Sequence, residues 1–204
     1  MFQGKKMKLS SNLSELKERL HNCNLCPKMV ESRLEVLGED NNHPTTFKGN
    51  PHPVFMLIGQ CPGRKLCSMK KEKLNITGEP FQFGSGDILN RVLIDAGFND
   101  DEIYITNVMK CNCPEDNKIN DEDTRLCLTL WLENEIRITS PKSIIIMGKI
   151  AQDWFSKYVN EDIINNIKIF RINHPASLLY NPNNEDEYIR ILTDIKKKCV
   201  DDEV

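Results

Sequence analysis

One repeating order constrains this chain more than any other feature: a short apolar run, a glycine or turn, then a stretch of helical periodicity. Val54–Ile58 is nearly continuous in apolar residues and stops at Gly59; residues 87–96 (DILNRVLIDA) follow with helical spacing and end at Gly97. Ile103–Val108 alternates as a strand ahead of an amphipathic helix over 121–137 that carries Trp131. Ser143–Met147 (SIIIM) is wholly apolar, ends at Gly148 and leads into a helix over 149–158. Ile167–Ile172 and a helix over 185–199 close the order. Strands that are apolar on both faces and separated by helices predict a parallel sheet covered on both sides. The expectation is a three-layer α/β/α architecture with a central four-stranded parallel sheet, residues 1–204 forming one domain. Residues 12–21 predict a further helix, with Asn12 as its N-cap and Glu15 three positions on, and the polar stretch 39–53 predicts loop. Residues 1–6 read as vector-derived, which makes Met7 the native start.

The 204-residue chain, 39% hydrophobic and 28% charged, has no apolar run of membrane-spanning length and no signal-peptide core, so an intracellular protein is expected. A net charge of −3 argues against a globally basic nucleic-acid binder, but the charge is segregated. Arg64, Lys65, Lys70, Lys71 and Lys73 stand against a single Glu72 within residues 64–73, while acids gather at 100–102 and 121–123. A basic loop on an acidic body suits a phosphate contact as well as a solvated surface.

Four polar loops fall where the expected strands end. They are Gly59-Gln60-Cys61-Pro62-Gly63, Thr106-Asn107 with Lys110-Cys111, Gly148-Lys149, and Asn173-His174-Pro175-Ala176-Ser177. In an open parallel sheet all four lie along one carboxyl edge, where ligands bind. The eight cysteines add a second constellation. Cys23 and Cys26 form a C-x2-C pair, and Cys111 and Cys127 are sixteen apart. Without a secretory leader these favour metal ligation over a disulfide framework. Four thiolates suit a tetrahedral zinc or a [4Fe–4S] cluster; spacing does not separate the two, and Cys113 could take the place of Cys111. Cys61, Cys67 and Cys199 read as spare thiols, which keeps a small thiol or iron–sulfur redox protein among the alternatives.

These residues, taken in order, resemble the uracil-DNA glycosylase superfamily, most closely its iron–sulfur branch, family 4. The resemblance runs from about residue 12 to 195 and rests on the C-x2-C pair, the G-x-x-P-G turn at 59–63, and T-G-x-P-F at Thr77–Phe81. Gly84-Ser85-Gly86, Y-x-T-N-x-x-K-C at Tyr104–Cys111, Cys127, P-K-x-I-I-x-x-G at Pro141–Gly148 and H-P-A at His174–Ala176 complete it. It implies a structural [4Fe–4S] cluster on Cys23, Cys26, Cys111 and Cys127. It further implies a monofunctional enzyme that flips a base, uracil or a modified or damaged pyrimidine, out of DNA and hydrolyses its N-glycosidic bond to leave an abasic site. Phe81 would stack on the extruded base, and Asn107 would read its Watson–Crick edge. His174 would bond the base oxygen as charge develops, with Cys61, Pro62 and Gly63 at the pocket floor. Ser177 and Leu178 would enter the duplex, and the 64–73 lysines and arginine would contact phosphates with salt-sensitive binding. A monomer acting on duplex or single-stranded DNA near the nucleoid, with no membrane, is the expected setting.

Two departures from the family pattern bear on activity. The family places an acid at position 60 to polarise the attacking water; here it is Gln60, which positions water but cannot accept its proton, at a cost of roughly 10²–10⁴ in rate if that group is the general base. Glu79 is the nearest candidate for a replacement acid. The segment from Gly63 to Gly78 is also longer than the pattern calls for, and its extra residues carry the lysines. Together these point to a pyrimidine other than plain uracil, with a non-cutting DNA-binding protein as the alternative.

Overall fold

Strand β2 (Phe55–Gly59) is the centre of the sheet, hydrogen-bonded on one side to β3 (Ile103–Asn107) and on the other to β4 (Ser143–Met147), all parallel. β5 (Lys168–Ile172) adds in parallel to β4, so the four strands expected from sequence are present in the order β3-β2-β4-β5. This computed structural model describes residues 10–63 and 78–200, apart from the side chain of Val200. Arg64, Lys65, Lys70, Lys71, Lys73, Cys67 and Thr77 lie outside the described residues.

The sheet has five strands rather than four. β1 (Lys48–Gly49) lines the β3 edge antiparallel, Lys48 opposite Ile105 and Gly49 opposite Tyr104. It falls in the stretch expected to be loop because a two-residue polar strand has no periodicity to detect. Only glycine fits at 49: its φ is +106°, and a Cβ would press on the Ile103 carbonyl and come to 3.0 Å from Tyr104 Cα.

Side-chain alternation sorts the strands into two cores. Phe55, Leu57, Ile103, Ile105, Ile145 and Met147 face α3 (Ser85–Asp95) and α9 (Glu185–Val200), packing on Leu89, Val92, Leu192 and Ile195. Met56, Ile58, Tyr104, Ile144 and Ile146 face the opposite layer, which supplies Leu128, Leu132, Ile136, Ala151 and Phe155. That layer contains α6 (Lys149–Tyr158) and a helix in three parts, α4 (Asp121–Cys127), a π-turn (Leu128–Leu132) and α5 (Glu133–Thr139). The expected 121–137 helix is therefore interrupted, and Cys127 sits at the last α-turn before the π segment.

A third cluster lies beside the sheet around α1 (Leu13–His21) and α2 (Pro27–Leu37). The Asn12 side chain caps α1 by accepting the Glu15 N–H at 2.9 Å, as the sequence predicts. α2 was not expected, although Pro27 at its first turn and Gly38 just past its end are the usual boundary marks. Two short helices, α7 (Glu161–Ile164) and α8 (Ser177–Tyr180), flank β5.

Candidate active site and cysteine pocket

The parallel register of β2 and β3 pairs Gly59 with Asn107 at their carboxyl ends. Gly59 is a floor rather than a hinge. A Cβ there would collide with Asn107 Oδ1 and come within 2.6 Å of Phe81 Cζ, so the absent side chain lets the Phe81 ring and the Asn107 amide converge. Asn107 is 2% exposed, and its Oδ1 is buried with no hydrogen-bond partner among the described residues. A buried carbonyl oxygen left unpaired costs about 1–3 kcal/mol, which a ligand donor would recover.

Phe81 has φ +53°, in the left-handed region that a bulky side chain rarely adopts. Two contacts hold it there. Lys48 Nζ donates to the Phe81 carbonyl at 3.2 Å, which gives the unexpected strand β1 a purpose. Gly86, at the start of α3, lets that helix pass so close that a Cβ would stand 3.0 Å from Phe81 Cα and press on its carbonyl. Burial lowers the Lys48 ammonium pKa, opposed by the negative charge of the nearby Glu79.

His174, beyond β5, brings its ring to 5.8 Å from the Phe81 ring at an interplanar angle of 28°. Gly148 makes room for it: a Cβ at 148, where φ is +89°, would lie 3.0 Å from His174 Cβ. The Ala176 N–H donates to His174 Nδ1 at 3.1 Å, so Nδ1 is the acceptor and a neutral ring carries its proton on Nε2. Burial lowers the His174 pKa and keeps it neutral at pH 7. The loop is braced by Tyr188 Oη, which donates to the Asn173 carbonyl at 2.8 Å, and by Gln152 Nε2, which donates to that of Ile172 at 2.8 Å.

The 60–63 turn follows β2 along the same edge. Gln60 Nε2 donates to Cys113 Sγ at 3.4 Å, the Gln60 carbonyl accepts the Met109 N–H at 2.9 Å, and Asn112 Nδ2 donates to the Gly63 carbonyl at 2.9 Å. Pro62 is buried. Two readings change here. Cys61 is not a spare thiol but is disulfide-bonded to Cys113, with Cα atoms 6.0 Å apart, which also removes Cys113 as a substitute for Cys111. Cys199 is a free thiol, as expected, buried against Ser143 Oγ at 2.9 Å.

α8 corrects another expectation. The Ser177 N–H donates to the His174 carbonyl at 2.9 Å, and the turn this starts rotates Leu178 inward; it is 4% exposed and packs into the core rather than standing outward. The apolar side chains presented outward are the next two, Leu179 at 58% and Tyr180 at 75% exposed.

Cys23, Cys26, Cys111 and Cys127 line one pocket with Met29, Met109 and Trp131. Cys26 is the N-cap residue of α2. Burial pushes the Cys127 and Cys26 thiols well up and that of Cys111 to about 11, Arg33 pulling the last back and Asp123 adding to the rise at Cys26. Four convergent soft donors in an apolar wall are the chemistry of a thiolate-bound metal group, which would supply the charge that displaces their protons. As they stand, no group of three or more His, Cys, Asp or Glu among the described residues is arranged to hold a metal ion. Next to the pocket, Lys110 and Glu135 form a buried ion pair at 2.6 Å, and Lys110 Nζ also donates to Thr106 Oγ1 at 2.5 Å. The pair fastens the loop bearing Cys111 to the helix that follows Cys127. Sequence patterning gives no sign of it, because a lysine in a loop and a glutamate in a helix read as solvated.

Fold and site define a class: an α/β domain whose sheet edge carries a glycine-floored cleft, with an aromatic wall, a buried histidine and an amide oxygen unpaired among the described residues, beside a four-cysteine pocket. The chain belongs to the uracil DNA glycosylase superfamily, whose family model matches residues 47–196. It is 29% identical over 193 residues to a type-4 uracil-DNA glycosylase of Sulfurisphaera tokodaii, covering 84% of this chain and 78% of the relative. It is 29% identical over 190 residues to the type-4 uracil-DNA glycosylase of Thermotoga maritima, covering 88% and 89%. A type-5 uracil-DNA glycosylase of Thermus thermophilus is 29% identical over 151 residues, covering 63% and 65%.

Proposed function

We propose that this chain is a monofunctional DNA glycosylase that extrudes uracil, or a pyrimidine modified from it, and hydrolyses its N-glycosidic bond. The observation that carries this reading is the unpaired, buried Asn107 Oδ1 facing Phe81 across Gly59. A uracil ring inserted there stacks on Phe81, gives its N3–H to Oδ1 and takes a hydrogen bond on O4 from the same amide's NH2. When the C1′–N1 bond breaks, its electron pair moves into the ring and charge builds on O2. His174 Nε2–H donates to that oxygen, an effect of about 3–4 kcal/mol in sites of this kind. Water adds to C1′ and loses a proton to solvent, with Gln60 orienting it but not accepting that proton.

The four cysteines would hold a [4Fe–4S] cluster whose role is to join α2, the loop after β3 and α4. We read the chain as a single domain acting as a monomer, with Leu179 and Tyr180 rather than Leu178 filling the vacated space in the duplex. The basic residues between 64 and 73 remain phosphate contacts in this proposal. Alkaline cleavage of a labelled duplex carrying one uracil tests the assignment: wild type forms abasic product, and Asn107→Ala binds the DNA but loses about 10²-fold or more in rate. Equal rates for both would place the base elsewhere.

A second reading has its own observation. Gln60 gives a hydrogen bond to Cys113 Sγ and sits where the family pattern has an acid, which favours a protein that binds uracil-bearing DNA and cuts it poorly. DNA affinity without abasic product would support it.

A further inference from the structure

Arg33 occupies a core position of α2. Its neighbours on that face, Met29, Ser32 and Val36, are buried, and Arg33 itself is only 3% exposed. A guanidinium cannot shed its proton, so burial demands compensation. Among the described residues, no carboxylate pairs with it. Its Nε donates to Asn42 Oδ1 at 2.7 Å, and Nη1 donates both to the Cys23 carbonyl at 3.2 Å and to Cys111 Sγ at 3.3 Å. Asp123, which stands beside Cys26, makes no ion pair with it. Of its three partners, the carbonyl and the amide stay neutral. The sulfur becomes an anion when it ligates a metal.

We propose that Arg33 is the built-in counter-charge of the four-thiolate site, a positioning residue that holds Cys111 and the backbone of Cys23 together and neutralises the loaded centre. This rests on the cluster reading above. One Nη1 spans both halves of the ligand set, the N-terminal C-x2-C and the pair after β3. The guanidinium is thus placed to favour a centre carrying net negative charge over the metal-free pocket, in which it is an uncompensated buried cation. Hydrogen bonds to ligating sulfurs and nearby charge are the usual means by which a protein tunes such a centre.

The test compares wild type with Arg33→Met, which keeps the apolar stem and removes the charge, and Arg33→Lys, which keeps the charge. Each protein is reconstituted anaerobically with iron and sulfide, and the rate of iron release to a ferrous chelator is measured beside the thermal midpoints of loaded and metal-free forms. Arg33→Met should release iron about ten- to a hundred-fold faster while its metal-free form melts no lower than that of wild type. Arg33→Lys should lie close to wild type in release rate. Release from Arg33→Met at the wild-type rate overturns the proposal, as does an equal loss of stability in its loaded and metal-free forms, which marks a merely structural arginine. Should Arg33→Met not fold, an Arg33→Lys release rate as fast as that of Arg33→Gln overturns it equally. Wild type that takes up no iron or sulfide overturns the cluster reading itself, and the proposal with it.

Discussion

Ala176 donates its backbone N–H to Nδ1 of His174, and this 3.1 Å bond decides which ring nitrogen of the neutral imidazole carries the proton. Replacing the ring by Ala should lower the single-turnover rate by about 10²–10³ with little change in DNA affinity, because the bond is made mainly to charge that develops on the leaving base. Rate and affinity measured on the same uracil duplex check it. A loss confined to affinity would contradict the role.

The same histidine sets a pH signature. Burial holds its folded pKa below the usual 6.5 or so, so the unfolded chain binds more protons between the two values. Its contribution to stability is complete above about pH 6.5 and is lost as pH falls through the folded value. Denaturant midpoints taken across pH 5–8 should therefore decline on the acid side, and His174→Gln should flatten that limb.

Gly59→Ala is expected to be more damaging to activity than its size suggests. The new methyl would press on Asn107 Oδ1 and come within 2.6 Å of the Phe81 ring, the two groups proposed to receive the base. Displacement by about an ångström costs roughly 10²-fold in rate. Circular dichroism should show the fold retained while abasic product falls by about that factor.

Gln60 has no proton to lose, so the wild-type rate should lack a carboxylate limb in its pH profile. Gln60→Glu should raise the rate by about tenfold or more and introduce an acid limb near the carboxylate range. An unchanged rate and profile would mean that bond breaking, not water activation, limits the reaction.

Adjacent leucines should separate stability from DNA handling. Leu178, 4% exposed in the core, should cost about 2–5 kcal/mol when replaced by Ala. Leu179→Ala and Tyr180→Ala, at exposed positions, should leave the melting point nearly unchanged and slow excision from duplex more than from single strands. Thermal melts with paired substrates distinguish them.

What could be seen in the sequence divides along physical lines. β2 and β4 were legible because strands buried on both faces need unbroken apolar runs, β3 and the partly exposed β5 because short apolar-rich stretches recur between helices. Gly59, Asn107 and His174 stood out because polar or glycine-marked turns follow those stretches, whereas Phe81 was found only through the family resemblance. β1 was not, since two edge residues carry no pattern, and with it went Lys48, the donor that holds Phe81 in its left-handed conformation. Leu178 was misassigned because a single turn of α8, invisible to periodicity at four residues, decides which leucine faces outward. Arg33 and the Lys110–Glu135 pair were missed for a common reason: long-range charge compensation leaves no local trace.

The central claim is that Phe81, Asn107 and His174 form one pocket that breaks the bond between a pyrimidine and its deoxyribose. Single-turnover release of free base from a duplex containing one uracil, with wild type beside His174→Ala, tests it most directly. The account predicts stoichiometric uracil release and an abasic strand from wild type, reduced by about 10²–10³ in the variant. Folded wild type that binds the duplex and releases no base from uracil or from any modified pyrimidine in its place would contradict it.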